Sequence, residues 1–354
     1  MNVWVHRIFL VFSVVFLSFV ILEGLLRLFH YTYYPLHILM LGISDSDKSG
    51  VTDAVHSSDW RYYHTFLDKS NTYDPWLMWK PNPQFEIHDA SGSARKFFNA
   101  MGYTGPEISP NNSNHRIVII ALGDSNTLGP GQFDNQTDEE VSWPGYLRSL
   151  VGNRVEVLNG GVWGYSSFQI FRRFKNVIPL KPDLVIISPS MNDNHLVLTP
   201  DSSYSLFTVG DDYALLHVKL VQLLQAGYDA VVAIINRNAS PRLPRVSYNE
   251  YQQLLNNTIT VAKKNKMHVL FITRPYCFFT LQSYIHQLAT RLMEYNEFMR
   301  QRAREENIPV LDFEKIYAGK CNLFSDPAHF NEEGYKNAAN LLYAELQKLQ
   351  LIHN

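Results

Sequence analysis

Cysteine is nearly absent: Cys277 and Cys321 are the only two in 354 residues, and they form no Cys-x-x-Cys pair. That excludes zinc ribbons and thioredoxin-like redox motifs and leaves room for one disulfide at most. Charge is also scarce, at 18% of residues, with a formal net charge of −2 and no acidic or basic run. Such a balance gives no electrostatic reason to expect nucleic acid as a partner. His-Glu-x-x-His and a phosphate-cradling glycine loop are both missing, so neither a metal nor a nucleotide cofactor is indicated. Gly-x-Ser-x-Gly is missing too, which disfavours the nucleophile elbow of ordinary α/β-hydrolases. What is present is a hydrophobic content of 46%, enough to bury a sizeable core.

One long apolar run stands at the amino terminus. Ile8 to Leu22 is uncharged, preceded by His6-Arg7 and followed by Glu23-Gly24-Leu25-Leu26-Arg27-Leu28-Phe29. Alone it rises about 22 Å as a helix, short of a ~30 Å hydrocarbon core, so a span has to extend from about Val5 to Leu28. Glu23 and Arg27 lie four apart and can pair on one helix face, with Arg27 snorkelling to the interface. A secretory signal peptide is the rival reading, yet no small-x-small cleavage site follows Leu22. A buried helix of a soluble domain would carry a polar face, which this run lacks. Residues 1–30 are therefore read as a single-pass membrane anchor. One arginine before the span balances one after it, so charge does not set its orientation.

Residues 31–114 read as an aromatic-rich, irregular accessory segment. Tyr73-Asp74-Pro75-Trp76 and Trp79-Lys80-Pro81-Asn82-Pro83 are turn and extended signals, because each proline biases its predecessor away from helix. So many Trp, Tyr and Phe imply packing on the following domain, with a substrate-lining role as the weaker alternative. From residue 115 to 354 strand and helix signals alternate. Strands are expected at Ile117–Leu122, Val155–Leu158, Leu184–Ser188, His268–Ile272 and Ile308–Leu311, and helices at Tyr248–Lys264 and Tyr284–Glu305. This pattern predicts an α/β domain with a parallel sheet covered on both faces. Ala214 to Gln225 looks helical, while Val231-Val232-Ala233-Ile234-Ile235 fits either a further strand or the end of that helix.

Four short blocks fall just beyond strand-like segments or in a loop near the carboxyl end: Gly123-Asp124-Ser125, Asn159-Gly160-Gly161-Val162-Trp163-Gly164, Ser190-Met191-Asn192-Asp193 and Asp326-Pro327-Ala328-His329. In this order they resemble the SGNH (GDSL-type) hydrolase family over roughly residues 115 to 345. Asn99-Ala100-Met101-Gly102-Tyr103-Thr104-Gly105-Pro106-Glu107 is similar to the stretch that precedes the first strand in many exported members. The resemblance implies a flavodoxin-like three-layer α/β/α domain that cleaves or transfers acyl esters. By the same likeness to membrane-anchored relatives, the domain would lie outside the cytoplasm, in the periplasm or beyond the cell. The third block departs from the family pattern, because Ser190 stands where a glycine is usual.

The residues carry their own chemistry. A serine hydroxyl needs a base within hydrogen-bond reach, and the base needs an orienting group. Ser125 and His329 supply the pair, and Asp326, three residues before His329, is placed to hold the imidazole; Glu332 and Asp312 are lesser candidates. By resemblance the oxyanion hole comprises the backbone amides of Ser125 and Gly164 and the side-chain amide of Asn192, with Gly161 competing with Gly164 for its position. Asp124 is expected to hold the turn. His195 could touch a substrate, and Arg242 and Arg245 an anionic polymer, although solvated loops are the simpler reading of all three. Cys277 and Cys321 each follow a strand-like segment by a short loop, so if those strands are neighbours the thiols share one rim. A disulfide is then plausible in an oxidising compartment, with two unpaired thiols as the alternative. Asn111, Asn135, Asn238 and Asn256 each begin a glycosylation sequon.

The function expected is that of a serine-dependent ester hydrolase or O-acyltransferase acting on acyl groups of a cell-surface glycan or lipid. A non-catalytic glycan-binding or assembly factor, or a membrane-associated phospholipase or thioesterase, is the alternative.

Overall fold

The computed structural model describes residues 3–31, 33, 69–88, 93–107, 116–131, 140–189, 191–197, 199–206, 214–235, 243–277 and 283–352. Ser190, Arg242 and the sequon residues Asn111, Asn135 and Asn238 lie outside them. The first helix, α1 (Val3–Leu28), is long and apolar enough to cross a membrane, and its apolar side chains are exposed. Glu23 and Arg27 pair on it at 2.6 Å.

Within the segment expected to be irregular, the described residues 69–88 and 93–107 hold two antiparallel strand pairs, β1 (Asn71–Asp74) with β2 (Met78–Pro81) and β3 (Glu86–His88) with β4 (Ala94–Lys96). The reason is local. The Asp74 carboxylate accepts from the Trp76 and Leu77 amides and closes a turn around Pro75. Trp79 and Tyr103 from this segment are buried in the core of the following domain.

That domain is built on β5 (Ile117–Gly123), β6 (Val155–Gly161), β7 (Leu184–Ser188), β10 (Val269–Ile272) and β11 (Val310–Leu311), with β8 (Leu196–Val197) and β9 (Leu243–Pro244) paired apart from them. Every contact in the five-stranded sheet is parallel, and its spatial order is β6-β5-β7-β10-β11. Relabelled by sequence this is the 2-1-3-4-5 order of flavodoxin-like folds, with its switch point between β5 and β7. Alternation along the strands divides the core in two. Val118, Ile120 and Leu122 face one side. Ile119 and Ala121 face the other.

The helices follow from where apolar residues must be covered. After the single turn α2 (Ser125–Leu128) come α3 (Trp143–Val151), α4 (Ser167–Val177), α5 (Lys219–Ile235), α6 (Tyr248–Lys264), α7 (Ser283–Glu306), α8 (Phe313–Tyr317) and α9 (Glu332–Lys348). Side chains of α4, α6 and α7 fill the first side of the sheet. Those of α3 and α9 fill the second. Ser247 caps α6 and Glu250 reaches back to the Ser247 amide, a capping box that starts the helix where the sequence places it. Val231 to Ile235 is the end of α5 and not a strand. Cys277 and Cys321 are joined as a disulfide, their Cα atoms 5.4 Å apart, across the loops that leave β10 and α8.

Candidate functional site

Parallel register brings three of the four blocks to one edge. Gly123 at the end of β5 sits level with Gly161 on β6 and with Ser188 on β7, so the segments that follow these strands share a rim at the switch point. Asp124 then caps α2: its carboxylate accepts from the Asn126 amide at 2.9 Å, and the chain turns so that Ser125 opens the helix.

The fourth block arrives from the far end of the chain. Ser125 Oγ lies 2.7 Å from His329 Nε2. His329 Nδ1 lies 2.7 Å from Asp326 Oδ2 and 3.0 Å from Oδ1. With Nδ1–H donated to the carboxylate, Nε2 is left to accept from the hydroxyl. Asp326 Oδ1 also accepts from the backbone amides of Ala328 and His329, each at 2.8 Å. Burial pulls its carboxyl upward, but the His329 hydrogen bond and charge and these two amides outweigh it and hold the group at about 2. The lesser candidates are engaged elsewhere: Asp312 caps α8 and pairs with Arg300, and Glu332 pairs with Lys336.

The two competing glycines prove to have different tasks. Gly161 is a strand residue at which a β-carbon would collide with the Leu128 amide, so its smallness lets α2 pack on β6. Gly164 has φ +73° and makes the turn into α4, a conformation that disfavours a side chain. Asn192 donates from Nδ2 to the Tyr165 carbonyl at 2.9 Å, which fixes its amide beside that turn and leaves one N–H over. Among the described residues nothing accepts the Gly164 amide, and the Ser125 amide opens a helix with no partner in the preceding turn.

Buried arginines, which carry no motif, hold these pieces together. Arg274 is fully buried just after β10; its Nε meets Asp124 Oδ2 at 3.3 Å and its Nη2 donates to the Ala328 carbonyl at 2.8 Å. It thus spans the nucleophile turn and the histidine loop. Asn126 makes a second tie, its Oδ1 accepting from the Phe330 amide at 3.1 Å. Arg245, expected in a solvated loop or on an anionic polymer, is instead buried: it pairs with Asp201 through two nitrogens and donates to the Gly164 carbonyl at 2.6 Å. That removes it from any polymer contact and makes it a support under the glycine turn. The backbone carbonyl of His195 accepts from the Arg245 amide, so its loop is part of the same support.

Two further features frame the site. Phe97 and Phe98 of the accessory segment pack with Leu128, at the end of the helix that Ser125 opens, and with Trp163 of the glycine block. Asp193, beside Asn192, is fully buried and accepts the Ser167 amide at 2.6 Å, and burial pushes its carboxyl up to about 7.

Residues 121–336 match the model of the GDSL-like lipase/acylhydrolase family, which is more than half of the chain. The chain belongs to that family. No curated protein matches it. Solved structures similar to it include a lipase/acylhydrolase from Enterococcus faecalis, with 20% identity over 66% of this chain and 96% of that one and a TM-score of 0.43. A GDSL-like lipase from Bacteroides thetaiotaomicron shares 16% identity over 68% and 93%, TM-score 0.42. An acetyl xylan esterase shares 16% over 65% and 100%, TM-score 0.43. Family membership rests on the family model and makes the chain a member of an ester-cleaving hydrolase superfamily.

Proposed function

We propose that this GDSL-family protein is a membrane-anchored serine esterase or O-acyltransferase that acts outside the cytoplasm on acyl esters of a surface glycan or lipid. The observation that carries it is the unbroken relay from Ser125 Oγ to His329 Nε2 and from His329 Nδ1 to Asp326, 2.7 Å at each step. Ser125 Oγ attacks the ester carbonyl carbon as His329 Nε2 takes its proton, and Asp326 steadies the imidazolium that forms. The carbonyl oxygen, now negative, takes hydrogen bonds from the Ser125 and Gly164 amides and the spare Asn192 N–H, each such donor contributing about 3–4 kcal/mol. Collapse expels the alcohol, which leaves with the proton from His329. Water or a sugar hydroxyl then attacks the acyl-serine through the same base, and the choice of acceptor separates hydrolysis from transfer.

The anchor and its side of the membrane belong to the same reading. α1 supplies the span, and the Cys277–Cys321 disulfide is of a kind that persists in oxidising compartments. A tethered enzyme meets substrates held at the membrane or on a surface polymer, which favours a glycan or lipid ester.

The test is hydrolysis of p-nitrophenyl acetate and octanoate by the detergent-solubilised full chain, beside Ser125→Ala. We expect turnover with the wild type and a loss of about 10⁴-fold or more in the variant. The acetate-to-octanoate ratio separates a deacetylase from a lipase or thioesterase. A folded wild type without turnover on either ester, or on an added sugar acceptor, points to a binding factor; equal turnover in both forms removes Ser125 as nucleophile.

A further inference from the structure

Helix α5 is built inside out. Beyond Leu220 at its start, its buried residues among those described are polar: Gln222 is 3% exposed, Gln225 0% and Asp229 7%. Its residues that face outward are apolar: Leu224 and Val231 are each 52% exposed, Ile234 74% and Ile235 72%. A surface helix in water shows the reverse, an apolar stripe inward and polar residues outward. The inward polar groups are all satisfied by the protein. Gln222 donates to the Leu216 carbonyl, Gln225 donates to the Tyr204 carbonyl and to Asp229, and Asp229 accepts from the Tyr33 hydroxyl. The outward stripe therefore has no polar task, and in water it would be an uncompensated apolar face.

What meets that face is indicated by where α5 begins. The Glu23 carboxylate of α1 accepts from the Lys219 and Leu220 amides at 3.1 and 2.8 Å, capping the start of α5, and Arg27 donates to the His217 carbonyl. Glu23 and Arg27 lie in the last two turns of the span, which ends at Leu28, with Arg27 able to snorkel to the interface. The first turn of α5 is thus pinned at the membrane–water boundary. From there α5 runs about 25 Å with its apolar side open.

We propose that α5 is an interfacial membrane helix whose Leu224–Val231–Ile234–Ile235 face lies in the acyl-chain boundary of the bilayer, a second lipid contact beside α1. The inference rests on the reading of α1 as a span. It also deepens the substrate assignment. Gln225 bonds Tyr204, which lies three residues from Asp201, the partner of Arg245 beneath Gly164. The site is thereby tied to the element that meets lipid, an arrangement that favours a substrate presented at the membrane surface.

The experiment places bimane on single introduced cysteines, Ile234→Cys, Phe12→Cys on α1 and Lys264→Cys at the exposed end of α6, in the full chain with the native disulfide oxidised. Each labelled protein is reconstituted into phosphatidylcholine–phosphatidylglycerol vesicles with or without brominated acyl chains. The expected result is at least a two-fold loss of fluorescence in brominated vesicles at positions 234 and 12 and none at 264. Quenching at 12 with none at 234 overturns the inference and leaves the anchor standing; if oxidant then crosslinks unlabelled Ile234→Cys into dimers, a second copy covers the face. Quenching at 234 with none at 12 upholds α5 as a lipid contact and removes the span, and no quenching at either overturns both.

Discussion

The two halves of the candidate site are held by different means. The serine, glycine and asparagine blocks stand on the ends of buried parallel strands, braced from beneath by Arg274–Asp124 and Arg245–Asp201, pairs almost wholly removed from solvent. The Asp326–His329 block lies on a loop before α9, with side chains 49% and 30% exposed, and is shaped by short-range bonds from Asp326 to its own neighbours' amides. One half is positioned by the core and the other largely by itself. In the proposed reaction the oxyanion donors must not move and the base must pass a proton between two oxygens, which that division would serve.

The sharpest way to probe the self-positioned half is Asp326→Asn. The amide oxygen can still accept from the Ala328 and His329 amides, so the loop keeps its shape, but the carboxylate that selects the Nδ1–H tautomer is gone. We expect kcat to fall about 10⁴-fold with an unchanged circular dichroism spectrum. A loss under ten-fold would mean that His329 is oriented by something other than Asp326.

The same division explains what could be read from the amino-acid sequence. Asp326 and His329 were legible because their partnership is local: three residues separate them, and the turn between them is closed by their own backbone. Ser125 was legible because a strand-like run delivers it, and the hydrophobic strands themselves gave the sheet and its α/β class. The braces were not. Arg274 and Arg245 carry no spacing signal, since their carboxylate partners lie 150 and 44 residues away along the chain. An arginine beside prolines looks like a solvated loop until the fold closes over it. Val231 to Ile235 was ambiguous for a related reason: a β-branched run on an outward face mimics a strand when the polar residues that share its helix point inward. The β1–β2 hairpin of the accessory segment was hidden because it depends on the Asp74 turn and on burial of Trp79 against a domain far along the sequence.

Arg274→Met tests the core-held half. It leaves the Asp124 carboxylate buried without its cation and cuts the tie to the Ala328 carbonyl, a defect that typically costs about 3–5 kcal/mol of stability. The midpoint of urea unfolding of the full chain in detergent should drop accordingly. Adding Asp124→Asn removes the stranded charge and should recover part of that loss, because a neutral pair is less costly to bury than a lone carboxylate. If the double variant is no more stable than the single one, the charge is not what Arg274 offsets.

The smallest effect, and the one that tests whether the core-held half carries a burden of its own, is at Asp193. Its Oδ1 takes the Ser167 amide, but Oδ2 is buried without a partner among the described residues, and desolvation raises the carboxyl to about 7. In the unfolded chain the group titrates near 3.9. Between these values the folded state holds the proton more tightly, so stability falls as pH rises from about 4 through 7 and the penalty is fully present above that. Asp193→Asn keeps an acceptor for Ser167 and cannot ionise. It should therefore stabilise the fold more at pH 8 than at pH 5, by about 1–3 kcal/mol, because only part of the penalty is present at the lower pH. A stability difference between wild type and variant that is the same at both pH values would show that Asp193 is already neutral or already solvated, and that the support under Asn192 is not strained by charge.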